Sequence, residues 1–203
     1  MLTTPRGEGG VRGRLVAVRH GSTAWSEALR HTGRSDLPLE PEGEHQARML
    51  GRRLAGHRFA LVLTSPLARA RDTGALAGFP GAEVDDDLRE WDYGAYEGLT
   101  TADIRIEHPD WSLWRDGVPE GETLVEVADR ADRVVERVRA AVGDVLVFAH
   151  AHVLRVVAAR WLELPAGAGA HWILGPASLS VLGWERETPV IGCWNDTASG
   201  ALG

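Results

Sequence analysis

Three short apolar runs, at residues 15–18, 60–64 and 145–149, are each followed by a turn signal and then a helical pattern. That alternation restricts the fold more than any other feature of the chain, because an apolar strand followed by a crossover helix joins its neighbours in parallel. The helix patterns fall at 41 to about 55, with Pro41 in the first turn, at 67–77, at 153–162 and in "TLVEVADRADRVVERVRAAV". In that last stretch Thr123 and Glu126 form a capping-box pair. Leu124, Val127, Ala128, Ala131, Val134, Val135, Val138 and Val142 recur on one face, and the charged residues fill the other. After Gly175-Pro176, "SLSVLGWE" and "PVIGCWN" predict two further strands joined by a charged turn, closing a mixed sheet. An α/β fold with a mostly parallel central sheet and helices on both faces is expected.

The chain has 203 residues, 44% of them hydrophobic, with eight Trp, which is enough for one sizeable core. Residues 1–13 are Gly-, Pro- and Thr-rich without periodicity and read as a disordered leader, with one domain over 14–203. No secretory or membrane-spanning pattern appears, so a soluble, cytoplasmic protein is expected. The net charge of −7 argues against nucleic acid and membrane surfaces as partners. The positive charge is carried by arginine, whose planar fork suits oxyanions. Cys193 is the single cysteine and reads as a packed side chain.

In open α/β sheets the ligand crevice lies beyond the carboxyl ends of the strands, and three strands here end in loaded residues. The first leads into Arg19, His20 and Gly21, the second into "TSPLARARDT" with Ser65, Arg69 and Arg71, and the third into "VFAHAH" with His150 and His152. The connection "DDDLREWDYGAYEG" adds Glu90. A lone histidine at a strand end is more often structural than catalytic. Two histidines and two arginines at equivalent strand ends, however, are costly without an anion, and phosphate offers oxygens for guanidinium forks.

"RHG", "SPLARARDT", Glu90 in "LREWDYGAYEG" and His150, in that order, resemble the histidine phosphatase superfamily, with its phosphoglycerate-mutase-like three-layer α/β/α sandwich. "LRHTGRSDLPL", "EWDYGAYEGLT", "PDWSLW" and "VLRVVAARWL" are similar to bacterial acid phosphatases and sedoheptulose-bisphosphatase-like members. The resemblance runs from Arg14 to about Asn195. It implies a phosphomonoesterase acting on small phosphorylated metabolites, without cofactor or metal, through a phosphohistidine on His20. Arg19, Arg69 and His150 would surround the equatorial oxygens, Gly21 would make room for substrate, and Glu90 would be the proton donor and then acceptor. Ser26 stands where many members carry an Asn that touches phosphate and is expected to bind weakly. Thr23, Thr32 and Gly33 look like pocket-wall positions. Ala151 replaces the usual Gly beside the second histidine, and a positive φ there would be strained.

Other readings stay open. A phosphoglycerate mutase would use the same nucleophile, and a non-catalytic phospho-ligand sensor would keep the fold without the reaction. His150 and His152, as a period-2 pair, would point the same way on an extended segment and suit a metal. Arg30, His31 and Arg34 form a basic cluster that is either surface or a grip for a second anionic group. Trp91, Trp111 and Trp114 either wall the entrance or fill the core. Asp85, Asp86 and Asp87 read as a solvated turn, Arg71 as one half of a surface ion pair, and His45, His57, His108 and His171 carry no signal. A homodimer through a sheet edge is the default assembly for such folds.

Overall fold

The computed structural model describes residues 12–197. One sheet holds β1 (Leu15–Arg19), β2 (Leu61–Thr64), β3 (Glu83–Val84), β4 (Val145–Ala149), β5 (Leu179–Glu185) and β6 (Thr188–Asp196), in spatial order β3-β2-β4-β1-β5-β6. The first four strands in that order run parallel. β5 and β6 close the sheet antiparallel, as the two late apolar runs suggest. The helices are α1 (Ala24–Glu27), α2 (Pro41–Leu54), α3 (Ala68–Leu76), α4 (Thr101–Glu107), α5 (Leu113–Asp116), α6 (Leu124–Ala140) and α7 (Ala151–Trp161).

Alternation along the strands sorts the two cores. Leu15, Ala17, Val145 and Val147 face α6 and α7, while Val16, Val18, Leu146 and Phe148 face the α2 and α3 side with Leu50 and Leu54. Burying each such aliphatic side chain contributes about 1.5–3 kcal/mol. α6 begins with the expected capping box, Thr123 accepting from the Glu126 N–H and Glu126 reaching back. Its apolar face is buried through Val138. Val142, expected on that face, lies past the helix end and is 95% exposed.

The structure departs from the sequence reading in places that matter for the site. α7 starts at Ala151, two residues before the expected Val153, so His150 is its N-cap and the helix N-terminus opens beside the strand end. β3, α1, α4 and α5 have no counterpart in the sequence pattern, being too short to show a period. Of the expected leader, residues 1–11 lie outside the described residues; Arg12 and Gly13 lie against Trp184, whose indole N–H donates to the Gly13 carbonyl. Among the described residues no helix is long and apolar enough to cross a membrane.

Candidate active site

The parallel register of β1 and β4 builds the centre of the site. Pairing runs from Leu15 with Val145 to Arg19 with Ala149, so the next residues, His20 and His150, emerge side by side. The His20 N–H donates to the Ala149 carbonyl at 3.0 Å. The two imidazole centroids lie 5.1 Å apart with planes inclined at 58°. His20 Nδ1 donates to the Gly21 carbonyl at 2.7 Å, which leaves Nε2 with its lone pair directed elsewhere. Burial pushes the His20 imidazole well below the ordinary histidine range, and Arg19 and Arg69 add to the effect, so the ring is neutral at neutral pH. Gly21 has a packing role. A Cβ there would stand 2.4 Å from the Gly43 carbonyl of α2, so the glycine lets α2 approach.

Arg69, in the first turn of α3, is fully buried. Its Nη1 donates to the Ser35 carbonyl at 2.8 Å, its Nη2 to the carbonyls of Thr32 and Gly33 at 3.0 and 3.2 Å, and its Nε to His150 Nδ1 at 3.1 Å. Because a guanidinium only donates, His150 Nδ1 is an acceptor. The neutral ring therefore carries its proton on Nε2, which donates to Ser65 Oγ at 2.7 Å. Burial and the neighbouring Arg69 push the His150 imidazole well below its ordinary value. Thr32 and Gly33 thus act through main-chain carbonyls, and the Thr32 hydroxyl is turned to the Arg30 carbonyl. Their loop is held in turn by Glu97, whose carboxylate accepts the N–H groups of Gly33 at 2.9 Å and Ser35 at 3.0 Å. A side chain at Gly33 would collide with the Trp91 carbonyl at 2.4 Å.

Arg19 donates through Nη1 to the Leu174 carbonyl at 2.5 Å. Its Nε is the one buried side-chain nitrogen or oxygen among the described residues without a hydrogen-bond partner. Burial pushes both arginines below the usual guanidinium range, and the charge of Glu90 opposes that for each. Glu90 itself sits at the N-terminus of α7. Its Oε1 accepts from the Trp91 and Val153 N–H groups at 3.0 and 2.9 Å, and its Oε2 from the His152 N–H at 3.0 Å. The Ala151 N–H has no protein partner among the described residues. Three donors occupy three of roughly four carboxylate lone-pair sites and leave one on Oε2.

The connection that carries Glu90 is organised by Arg130 of α6. This guanidinium is 6% exposed. It pairs with both oxygens of Glu122 at 2.9 and 3.0 Å, and donates to the main-chain carbonyls of Asp87, Arg89 and Glu90. Arg130 belongs to the polar part of the α6 pattern, and nothing in that pattern marks it as buried. Glu97 carries no motif signal of its own either, beyond its place in the resembling stretch.

Ser26 does not present a free donor. Its hydroxyl donates to the Thr23 carbonyl and accepts the Thr23 N–H, forming the capping box of α1 together with the Thr23 side chain. Ala151 has no positive φ, since it occupies the first helical position, so its methyl costs no backbone strain. The His150 and His152 side chains do not form the expected extended pair, because the helix begins between them. His152 Nδ1 instead shares a 2.6 Å hydrogen bond with Tyr93 Oη. Among the described residues no group of three His, Cys, Asp or Glu side chains could hold a metal. The basic cluster is dispersed: Arg30 donates to the Gly98 carbonyl, and Arg34 pairs with Asp92 at 2.6 Å. Asp85, Asp86 and Asp87 are not merely solvated, since they pair with Arg137, Arg89 and Arg133. Arg71 is exposed and has no ion pair among the described residues. Trp91 and Trp111 are buried, whereas Trp114 is half-buried.

Comparison with known proteins agrees with this geometry. Residues 15–197 match the model of the histidine phosphatase superfamily, branch 1. An acid phosphatase of Mycobacterium tuberculosis is 42% identical over 191 residues, covering 90% of this chain and 94% of that protein. The sedoheptulose 1,7-bisphosphatase of Saccharomyces cerevisiae is 37% identical over 185 residues, covering 74% of this chain and 68% of its own length. A solved Mycobacterium tuberculosis structure superposes with a TM-score of 0.85 at 39% identity, covering 91% of this chain and 97% of that one. With its strand-end histidine pair, its buried arginines and the matched family model spanning nearly the whole sheet, the chain belongs to the histidine phosphatase superfamily.

Proposed function

We propose that this protein hydrolyses phosphate monoesters of small metabolites through a phosphohistidine on His20. The observation that carries the reading is the buried Arg19 Nε without a partner, beside a neutral His20 and a fully enclosed Arg69. An unpaired buried N–H costs about 1–3 kcal/mol, which a phosphoryl oxygen would offset. In this reading His20 Nε2 attacks phosphorus, the bond to the leaving oxygen breaks, and Glu90 gives that oxygen a proton from Oε2. Water then attacks phosphorus, Glu90 takes back a proton, and the P–N bond breaks to release phosphate.

Arg19, Arg69 and the Ala151 N–H at the α7 N-terminus supply donors for the equatorial oxygens as charge develops. His150 orients Arg69 by accepting its Nε–H at Nδ1, while its own Nε2–H is held by Ser65 Oγ. Hydrolysis, rather than return of the phosphoryl group to a bound sugar acid, is supported by the phosphatase names of the relatives with 42% and 37% identity. Rapid quenching with a labelled monoester should trap an acid-labile, base-stable phosphoenzyme in the wild type and none in His20→Ala. A label that survives His20→Ala, or no label at all alongside turnover, would overturn the assignment. Release of free phosphate without interconversion of 2- and 3-phosphoglycerate separates the hydrolase from the mutase.

A further inference from the structure

Ser65 follows directly after β2, in the same stretch as Arg69, and takes no part in the bond changes of the proposed reaction. The residue is fully buried. Its Oγ accepts the Leu67 N–H at 3.3 Å and meets His150 Nε2 at 2.7 Å. The direction of that second bond is fixed from the other side of the ring. There the Arg69 Nε–H, which can only donate, lies 3.1 Å from Nδ1, so Nδ1 carries the lone pair and Nε2 the proton. With two donors aimed at its two lone pairs, the Ser65 oxygen acts as an acceptor toward the ring.

The position of that ring proton bears on Arg69. A guanidinium has five N–H donors, and on Arg69 four are taken: Nε–H by His150, one on Nη1 by the Ser35 carbonyl, and two on Nη2 by the Thr32 and Gly33 carbonyls. One Nη1–H is left for a phosphoryl oxygen, and its aim follows from how the planar fork is held. The three carbonyls hold the Nη end, while His150 holds Nε. Without the Ser65 hydroxyl the buried ring faces two unfavourable states. A proton kept on Nε2 loses its acceptor, so nothing orients the ring; a proton moved to Nδ1 sets that N–H against the Arg69 Nε–H, donor to donor.

We propose that Ser65 is a positioning residue for phosphoryl transfer: by accepting the His150 Nε2–H it fixes the ring tautomer that holds Arg69, and it acts through those two side chains rather than on the substrate. The role rests on the phosphatase reading, but the tautomer is measurable without any reaction. In 15N NMR of the full-length, histidine-labelled protein, the His150 ring, assigned by its loss in His150→Gln, should carry its proton on Nε2 and none on Nδ1. Ser65→Ala should keep its circular dichroism, give mixed tautomers at His150 and lower kcat for p-nitrophenyl phosphate by about tenfold to a hundredfold. KM should stay within about threefold, because a misaimed donor costs most where charge develops in the transition state. Ser65→Thr, which keeps a hydroxyl, should restore the single tautomer and most of kcat. A proton on His150 Nδ1 in the wild type, a wild-type kcat in Ser65→Ala, or a loss of kcat there with the wild-type tautomer intact would overturn the proposal. The expected tautomer in a wild type that turns over p-nitrophenyl phosphate without any phosphoenzyme would count against the phosphohistidine reading instead.

Discussion

The two halves of the candidate site are held in place by different physics. Arg19, His20 and His150 leave β1 and β4 in register, and Arg69 follows β2 in the first turn of α3, so the sheet ladder sets their spacing. Glu90, Tyr93 and Glu97 come from a connection with only short helical turns, and its position depends on side-chain bonds. Arg130 ties its main chain to Glu122 and α6, and the α7 N-terminus grips Glu90. Regular structure thus places the cations and the histidine pair, while a buried ion pair and a helix end place the carboxylate. An error in the ladder would disturb every strand-borne residue together; an error in the connection would move Glu90, Tyr93 and Glu97 and leave the strand ends in register.

Substitutions in the two halves test that contrast. His20→Ala should remove turnover to background with the fold intact, measured by phosphate release and by circular dichroism, since the covalent route has no substitute. Glu90→Gln should lower kcat by about 10²–10⁴ while the phosphoenzyme still forms slowly with an activated aryl ester. If the connection depends on Arg130, Arg130→Met should cost about 3 kcal/mol in denaturant midpoint analysis, because it strands Glu122, and should also lower kcat. Loss of stability with kcat unchanged would separate Arg130 from the positioning of Glu90. Glu97→Gln should act more mildly, raising KM by about tenfold at most, since an amide can still accept one of the loop N–H groups that hold the cradle of Arg69.

The smallest effect concerns pH. Burial, before any other cause, lowers the pKa of His20, His150 and His152 in the folded protein. As pH falls below about 6.5 the unfolded chain takes up protons that the fold does not, so stability declines. Each histidine contributes a slope of up to about 1.4 kcal/mol per pH unit, which thermal melts between pH 7 and 5 would register. Since burial holds His20 well below the ordinary histidine value, the acid limb of activity should not begin at about 6.5, the value of an unperturbed histidine. An activity profile that falls with an apparent pKa there would show that His20 titrates as an exposed histidine and that the strand end is open to water.

Legibility in the sequence divides along the same line. The strands and α2, α3 and α6 announce themselves because each spans enough residues to show a period and ends in a turn or cap, Thr123 with Glu126 being the clearest. The α7 pattern points two residues too late because His150 and Ala151 carry no cap signal; the helix end is gripped instead by Glu90, 62 positions before His152. β3 and α1 have two and four residues, too few for any pattern. The expectation for Ser26 fails because a serine that caps a helix and a serine that binds an anion look alike in sequence.

The order of motifs, the apolar alternation and the arginine-borne positive charge determined that this chain would form a mixed α/β sheet with histidines and arginines gathered at its strand ends. These are local or periodic properties, written within a few residues of one another. Only the tertiary structure decided that Arg130 would be buried against the main chain of Asp87, Arg89 and Glu90, that Glu97 would hold the loop cradling Arg69, and that His31 and His152 would meet among aromatic rings. Each of those depends on residues distant in sequence sharing one low-dielectric space, where the cost of an unpaired charge selects the partner.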